Sequence, residues 1–480
     1  MFKKIVIIHV SVLVLAFVLF YQCSQKAKDI TYTTKSPEAR KLFLEGLAKD
    51  DAFYEEEAGE LFKQAIEADP EFAMAYYHLA LLAATTADYI DRFNKAVELS
   101  GNISEPEKLI IHGAKAIFDE EMYEARECLE KLVELLPEGK RAHYLLGNFY
   151  FNRNEWALSE SEYQQSILLD PEFAPAYNML GYALSNQDKY TQAIEALKKY
   201  AKLQPDDPNP HDSMGEIYLM ISDYNNSIKS YNNALELDPD FIISIAGLGH
   251  NYSFLGKYNK AREKYELIFK HAQNEADTNT GYYWIAVSHI IEGNYQKAID
   301  VLKKRLKYSK KTGNLYSEAN TRNMIAFIYY EKSEFSKALK ETAALRKLSM
   351  NPQIHNRLKE QYLRNCSYTE ALVYASQNRN DLAIAKTAEY EKSVKTSNNP
   401  NLEKTLHGLK GIVYYWNNEY ESAIDELSQA DSQSQYPKYY YGLSYRKSGD
   451  EKRAKDIFED IAKFNRNDFY YAFVRPKAAG

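Results

Sequence analysis

Apolar residues along most of this chain recur three and four apart, the spacing of a helix with one buried face. The helical stretches come in pairs, and the pairs repeat. Pro137, Pro171, Pro205 and Pro239 stand 34 residues apart, and Gly113, Gly147, Gly181, Gly215 and Gly249 keep the same step. Small residues follow in phase at Ala125, Ser159, Ala193, Ser227 and Ala261. Four places further on sit Leu129, Tyr163, Leu197, Tyr231 and Tyr265. The pattern predicts a unit of helix, short turn and second helix. Gly inside a helix costs about 1 kcal/mol against Ala. That cost is offset if the glycine lets the second helix approach closely, with Ala or Ser as the matching small surface. Tyr177 and Leu180 then fill the space beside the contact. Pro stops the second helix and opens the next unit. A single pair cannot bury its apolar face alone, so the units must stack.

One unit reads Tyr177, Leu180, Gly181, Leu184, Ala193, Leu197, Tyr200, Pro205, and the next His211, Met214, Gly215, Tyr218, Ser227, Tyr231, Ala234, Pro239. Five such units in register resemble the tetratricopeptide repeat. The resemblance implies an all-α fold, an α-solenoid wound as a right-handed superhelix of about twelve helix-turn-helix units. Upstream, Leu42, Gly46, Ala58, Phe62, Ala65 and Pro70 keep the spacing. Residues 73–105 read as a degenerate unit with a second helix about three residues short. Downstream the small residue recurs at Ala298, Ala338, Ala383, Ala423 and Ala454, with uneven steps. The expected organisation is a signal or anchor with a short linker (1–30), a regular array (31–278), an irregular array (279–465) and a tail (466–480). The stretches "HAQNEADTNT" and "KTSNNPN" read as long turns between units, and "FVRPKAAG" as a frayed end.

Residues 1–22 change the picture of where the array resides. Lys3 and Lys4 precede an apolar run from Ile5 to Tyr21, a length between a signal-peptide core and a minimal membrane-spanning helix. Lysines on that side favour the cytoplasm, so the repeats are expected outside it, periplasmic or at the cell surface. Cys23 follows directly and resembles the lipidated cysteine of a bacterial lipoprotein, although Tyr21 and Gln22 stand where that family has small residues. An uncleaved anchor, a lipoprotein and ordinary secretion all remain open. The other cysteines, Cys128 and Cys366, fall on distant repeats and read as small buried residues. "TYTTKSPEARKLFLEGL" followed by "AIEADPEFAMAYYHLA" looks like the entry to repeat regions of bacterial cyclases, kinases and regulators, but no such domain accompanies it.

Candidate chemistry is sparse. The net charge of −7 and its even mixing argue against a nucleic-acid surface. No phosphate loop, zinc motif or nucleophile elbow is present, and no metal site, cofactor, small-molecule substrate or catalytic residue is inferred. His143 and His211 occupy packing positions, and carboxylate runs such as Glu55–Glu56–Glu57 and Glu120–Glu121 sit at turns or helix starts. Tyrosine is abundant, 41 of 480 residues, and many of these rings fall on repeat packing positions.

In the resembled family the first helices line a concave surface where protein or peptide ligands bind. The face away from the Leu-Gly contact carries Arg141, Tyr144, Asn148 and Asn152, then Asn178, Tyr182 and Asn186, then Asn209, Asp212 and Glu216, and ends at His250. Asn donates and accepts at once and can grip a peptide backbone, while Tyr offers an apolar face with a polar tip. No packing role is evident for these Asn residues. The face lacks the Lys and Arg cluster with which chaperone-binding members hold a C-terminal carboxylate. The expectation is a membrane-tethered scaffold or adaptor of the bacterial envelope that binds a protein or peptide in its groove. A sensory receptor component and, more remotely, an enzyme with an unrecognised site are the alternatives.

Overall fold

The computed structural model describes residues 29–479 apart from 53, 84, 398 and 467. The segment read as an anchor, with Cys23, lies outside these residues. Among the described residues every regular element is helical. The first pairs are α1 (Pro37–Asp51) with α2 (Glu55–Ala68), α3 (Ala73–Leu81) with α4 (Thr86–Leu99), α5 (Glu105–Phe118) with α6 (Met122–Leu135) and α7 (Lys140–Asn152) with α8 (Trp156–Leu169). Next come α9 (Ala174–Ser185) with α10 (Tyr190–Leu203), α11 (Asn209–Met220) with α12 (Tyr224–Leu237), α13 (Ile242–Phe254) with α14 (Tyr258–His271) and α15 (Glu275–Ile291) with α16 (Tyr295–Thr312). The last are α17 (Leu315–Glu331) with α18 (Phe335–Ser349), α19 (Asn356–Ser376) with α20 (Asn380–Lys395), α21 (Pro400–Trp416) with α22 (Tyr420–Ser428) and α23 (Gln435–Ser448) with α24 (Glu451–Lys463). A final helix, α25, spans Tyr471–Ala479. This is the α-solenoid of about twelve units expected from the period.

The turn inside each unit has a backbone signature with the same period as the glycines. Glu120, Asn154, Asp188, Ser222 and Gly256 all adopt positive φ, between 59° and 70°. After Glu120, Asn154, Ser222 and Gly256 the next residue closes the first helix from outside. The Glu155 N–H donates to the Tyr150 carbonyl at 3.0 Å and the Lys257 N–H to the Tyr252 carbonyl at 2.8 Å. This is the Schellman closure, which satisfies a last-turn carbonyl. After α2, α8 and α12 an Asp-Pro step ends the second helix. The Asp170 carboxylate accepts the Glu172 N–H at 3.0 Å, and Asp238 accepts that of Asp240 at 2.9 Å.

The glycine contact has a different partner from the expected one. A Cβ on Gly147 would lie 2.6 Å from the Tyr163 ring, one on Gly46 2.7 Å from Phe62, one on Gly215 2.9 Å from Tyr231 and one on Gly442 2.7 Å from Phe458. The glycine therefore admits the ring four residues beyond the small residue. Those rings are buried, Tyr163 and Phe62 completely. Burying one large apolar side chain contributes about 1.5–3 kcal/mol, enough to offset the helical glycine.

The chain packs as two compact units. One holds α1–α3 and α7–α9 with most of α4–α6; the other holds α10–α25 with residues 83–90 and 116–123. In the first, α7 packs on α9. In the second, α11 packs on α13, α13 on α15, α17 on α19, α19 on α21 and α21 on α23, so first helices form an inner layer in two runs.

Three expectations need correction. In residues 73–105 the short helix is the first, α3 with 9 residues, whereas α4 has a regular 14. The period slips after residue 271 because helices lengthen, to 17 residues in α15 and 18 in α16. The stretch read as a long turn there is only three residues, closed by a capping box between Asn274 and Asp277. The tail is not frayed: Tyr471, Ala472, Phe473 and Val474 of α25 are buried. Among the described residues no helix is long and apolar enough to cross a membrane.

Candidate functional site

The helix period places the expected stripe on α7, α9, α11 and α13, and the packing then decides what each side chain can do. In the first unit, Arg141 opens α7 and is ion-paired with Asp51. Burial works against its charge, but the Asp51 carboxylate wins and holds the guanidinium firmly protonated. Its guanidinium carbon also lies 5.4 Å from the Phe173 ring. One turn on, the Tyr144 ring meets Phe173 edge-on at 5.3 Å. Burial pushes its phenol up to about 12.

Asn148 Oδ1 accepts the Tyr163 hydroxyl at 2.7 Å. The ring that the glycine admits thus ends on the neighbouring Asn, which gives Asn148 the packing role that the sequence did not show. Asn186 has one as well, since its Nδ2 donates to the Tyr182 carbonyl at 2.9 Å and closes the end of α9. Asn178 is buried. Asn152 is exposed at the end of α7, and Tyr182 is half-buried.

In the second unit the Asn209 side chain donates to the Tyr200 hydroxyl at 3.3 Å. Asp212 is buried and accepts the Ser244 hydroxyl at 2.6 Å. Burial, with the charge of half-buried Glu216 adding to it, pushes the Asp212 carboxyl up to about 7. His250 meets the Tyr265 hydroxyl at 2.8 Å and lies 4.2 Å from the Trp284 ring, and burial pushes its pKa down to about 3. Of the stripe, Asn152 is exposed and Tyr182 and Glu216 are half-buried, so these three reach the surface.

Other singled-out residues also find their places. His143 bonds Glu162 at 2.7 Å, which raises its pKa, and His211 is half-buried with its pKa lowered by burial. Cys128 and Cys366 are free thiols; Cys366 is buried, while Cys128 is only half-buried. Among the described residues no group of three His, Cys, Asp or Glu side chains is arranged to hold a metal.

Sequence reasoning missed two features of the second unit. Glu120, read as a turn carboxylate, is buried at a positive φ of 65° and receives both hydrogen bonds from Arg364 Nη2, at 2.9 and 3.1 Å. The second is an aromatic interior around Phe327, whose ring lies 4.8 Å from Tyr470, 5.2 Å from Tyr436 and 5.4 Å from Phe473. The runs "QYPKYYYGLSY" and "DFYYAFV" were its signal.

Tetratricopeptide-repeat models match residues 124–168, 162–195, 212–241 and 438–466. The repeat family is thereby supported in the regular array and again at the last helix pair. Such repeats generally mediate protein–protein interaction, and the proteins built from them are generally scaffolds without enzymatic activity. No curated protein matches the sequence. Similar solved structures include a tetratricopeptide repeat protein from Parabacteroides merdae, 15% identical over 56% of this chain and 91% of that one, at TM-score 0.36. MamA is 23% identical over 40% of this chain and 94% of its own, at TM-score 0.24. A thermophilic repeat protein of Thermus thermophilus is 17% identical over 43% and 94%, at TM-score 0.27.

Proposed function

We propose that this tetratricopeptide-repeat chain is a membrane-tethered scaffold outside the cytoplasm, and that it binds a segment of a partner protein on its first-helix face. The observation that carries the binding role is the layer formed by α7 and α9, whose stripe keeps Asn152 and Tyr182 at the surface. Asn152 offers both a donor and an acceptor to an extended backbone, and Tyr182 an aromatic face to a side chain. Asn148 anchors that face to the Tyr163 ring of α8, and Asn186 closes the end of α9. The tether rests on Lys3, Lys4, the apolar run and Cys23.

The test compares two variants of the full chain against a partner captured from membrane extract. Asn152→Ala with Tyr182→Ala should weaken retention by about 2 kcal/mol, roughly thirtyfold, if each contact contributes about 1. Lys198→Ala, Lys229→Ala and Asn232→Ala, all exposed on second helices, should leave it unchanged. Equal retention by both variants contradicts the assignment of the face. Fractionation tests the tether: the chain should pellet with membranes and be open to protease from outside. Cys23→Ser should release it only if lipidation is the anchor.

A further inference from the structure

The inner layer of the second unit is not open. It holds the C-terminal segment of its own chain, and the contacts have the character of a ligand in a groove. Helix α25 packs on α15, α23 and α24. Phe473 enters between Phe327 on α17, at 5.4 Å, and Tyr295 on α16, at 5.6 Å. Arg475 lies over the Phe254 ring of α13 with its guanidinium carbon 4.3 Å from the centroid. Lys477 Nζ meets Glu331 Oε2 at 2.7 Å, and the Glu331 side chain is only 4% exposed. An aromatic slot, an aromatic face for a guanidinium and a buried carboxylate for an ammonium are thus set in one row.

Two observations mark the segment as exchangeable. Helix α25 has nine residues with Pro476 inside it. So short a helix is marginal alone, and an interior proline removes a hydrogen bond and crowds the preceding turn. Its helicity must come from the groove. The fit is also incomplete. Arg475 Nε is buried without a hydrogen-bond partner. A cavity of about 460 Å³ opens beside Lys477, between Glu331, Tyr415, Trp416 and Tyr439.

We propose that this groove is a second binding site, for a partner-protein segment with an aromatic residue followed at the second and fourth positions by cations, and that residues 471–479 are a resident plug which such a segment displaces. The proposal rests on the protein-binding role above for its class of ligand, but not on the face formed by Asn152 and Tyr182.

The probe is a labelled peptide, DFYYAFVRPKAA, added to the full chain and followed by fluorescence anisotropy. Wild type should bind weakly because its plug competes. Phe473→Ala with Lys477→Ala, which loosens the plug, should bind at least about tenfold more tightly. Adding Glu331→Gln should remove about tenfold again, the loss expected of a charge-assisted hydrogen bond. A peptide with Glu at both cationic positions should not bind. Asn152→Ala with Tyr182→Ala should leave peptide binding unchanged, which separates failure here from failure of the first site. Absence of binding to a folded, loosened variant, or binding indifferent to Glu331, overturns the proposal. Dimerisation abolished by Phe473→Ala also overturns it, because the occupant would then be a second copy. Should the loosened variant not fold, hydrogen exchange on wild type decides. Amides of α25 should exchange far faster than those of α15 and α23, and equal protection would make the tail a fixed part of the core.

Discussion

Replacing Gly147 by Ala tests the glycine–ring contact that recurs at Gly46, Gly147, Gly215 and Gly442. The new Cβ would lie 2.6 Å from Tyr163 Cε1 and 2.8 Å from Cδ1, where unstrained carbons stay about 3.5–4.0 Å apart. The ring would have to withdraw by about 1 Å, but it is fully buried and its hydroxyl is held by Asn148 at 2.7 Å. Overpacking of this kind costs about 1–3 kcal/mol, and straining the hydroxyl contact adds up to about 1. Ala returns about 1 kcal/mol through helix propensity. The net expectation is a loss of up to about 3 kcal/mol. Gly59 on α2 supplies the contrast, since its Cβ would meet only Leu82 Cδ1 at 3.9 Å. Gly59→Ala should therefore gain up to about 1 kcal/mol. A repeat array need not unfold in one step, so the assay is native-state hydrogen exchange. It is read on α7 and α8 for the first change and on α1 and α2 for the second. Tyr163→Leu in the Gly147→Ala background should recover part of the loss. Shifts of the same sign for the two glycines would refute the reasoning.

Two further predictions concern buried charge. Glu120→Gln leaves Arg364 buried and uncompensated, which should cost about 3–5 kcal/mol in denaturant unfolding, whereas Glu120→Leu with Arg364→Met should recover most of it. Asp212, pushed up to about 7 by burial, ionises near 3.9 when unfolded. Its contribution to stability is complete below about pH 4 and lost as pH rises through about 7. Asp212→Asn should therefore flatten the decline of melting temperature between those pH values. An unchanged profile relative to wild type would show that the carboxyl is not protonated in the fold. His250 acts in the opposite sense, its contribution being lost as pH falls below about 6.5, and it cancels in the comparison of variant with wild type.

The helix pairs were legible because one physical requirement, a close helix approach, recurs every 34 residues and so writes itself repeatedly. Its chemistry was only half legible. The glycines and the small residues share a phase, but the ring at Tyr163 or Tyr231 is what needs the space, and spacing alone does not tell which neighbour points into a gap. The positive-φ turn position has the same period, yet Glu120, Asn154, Asp188, Ser222 and Gly256 share no side-chain property that would reveal it. The stripe on α7 and α9 was legible as a face. What was not legible is that Asn148 is bound by Tyr163 and that Asn186 closes its own helix, since a helical wheel gives direction and no partners. The tail was misread for a related reason. A proline beside basic residues looks like a chain end leaving the fold, and only the aromatic interior around Phe327 shows why it stays.

Site-specific photo-crosslinking in the intact membrane tests the central claim, that the first-helix face holds a partner segment, most directly. A photoreactive residue is placed in turn at Asn152, at Tyr182 and at Gln165, the last exposed on the second helix α8. The account predicts one discrete adduct of the same mass from positions 152 and 182 and none from position 165. No adduct from either of the first two, or an equal one from position 165, would contradict it.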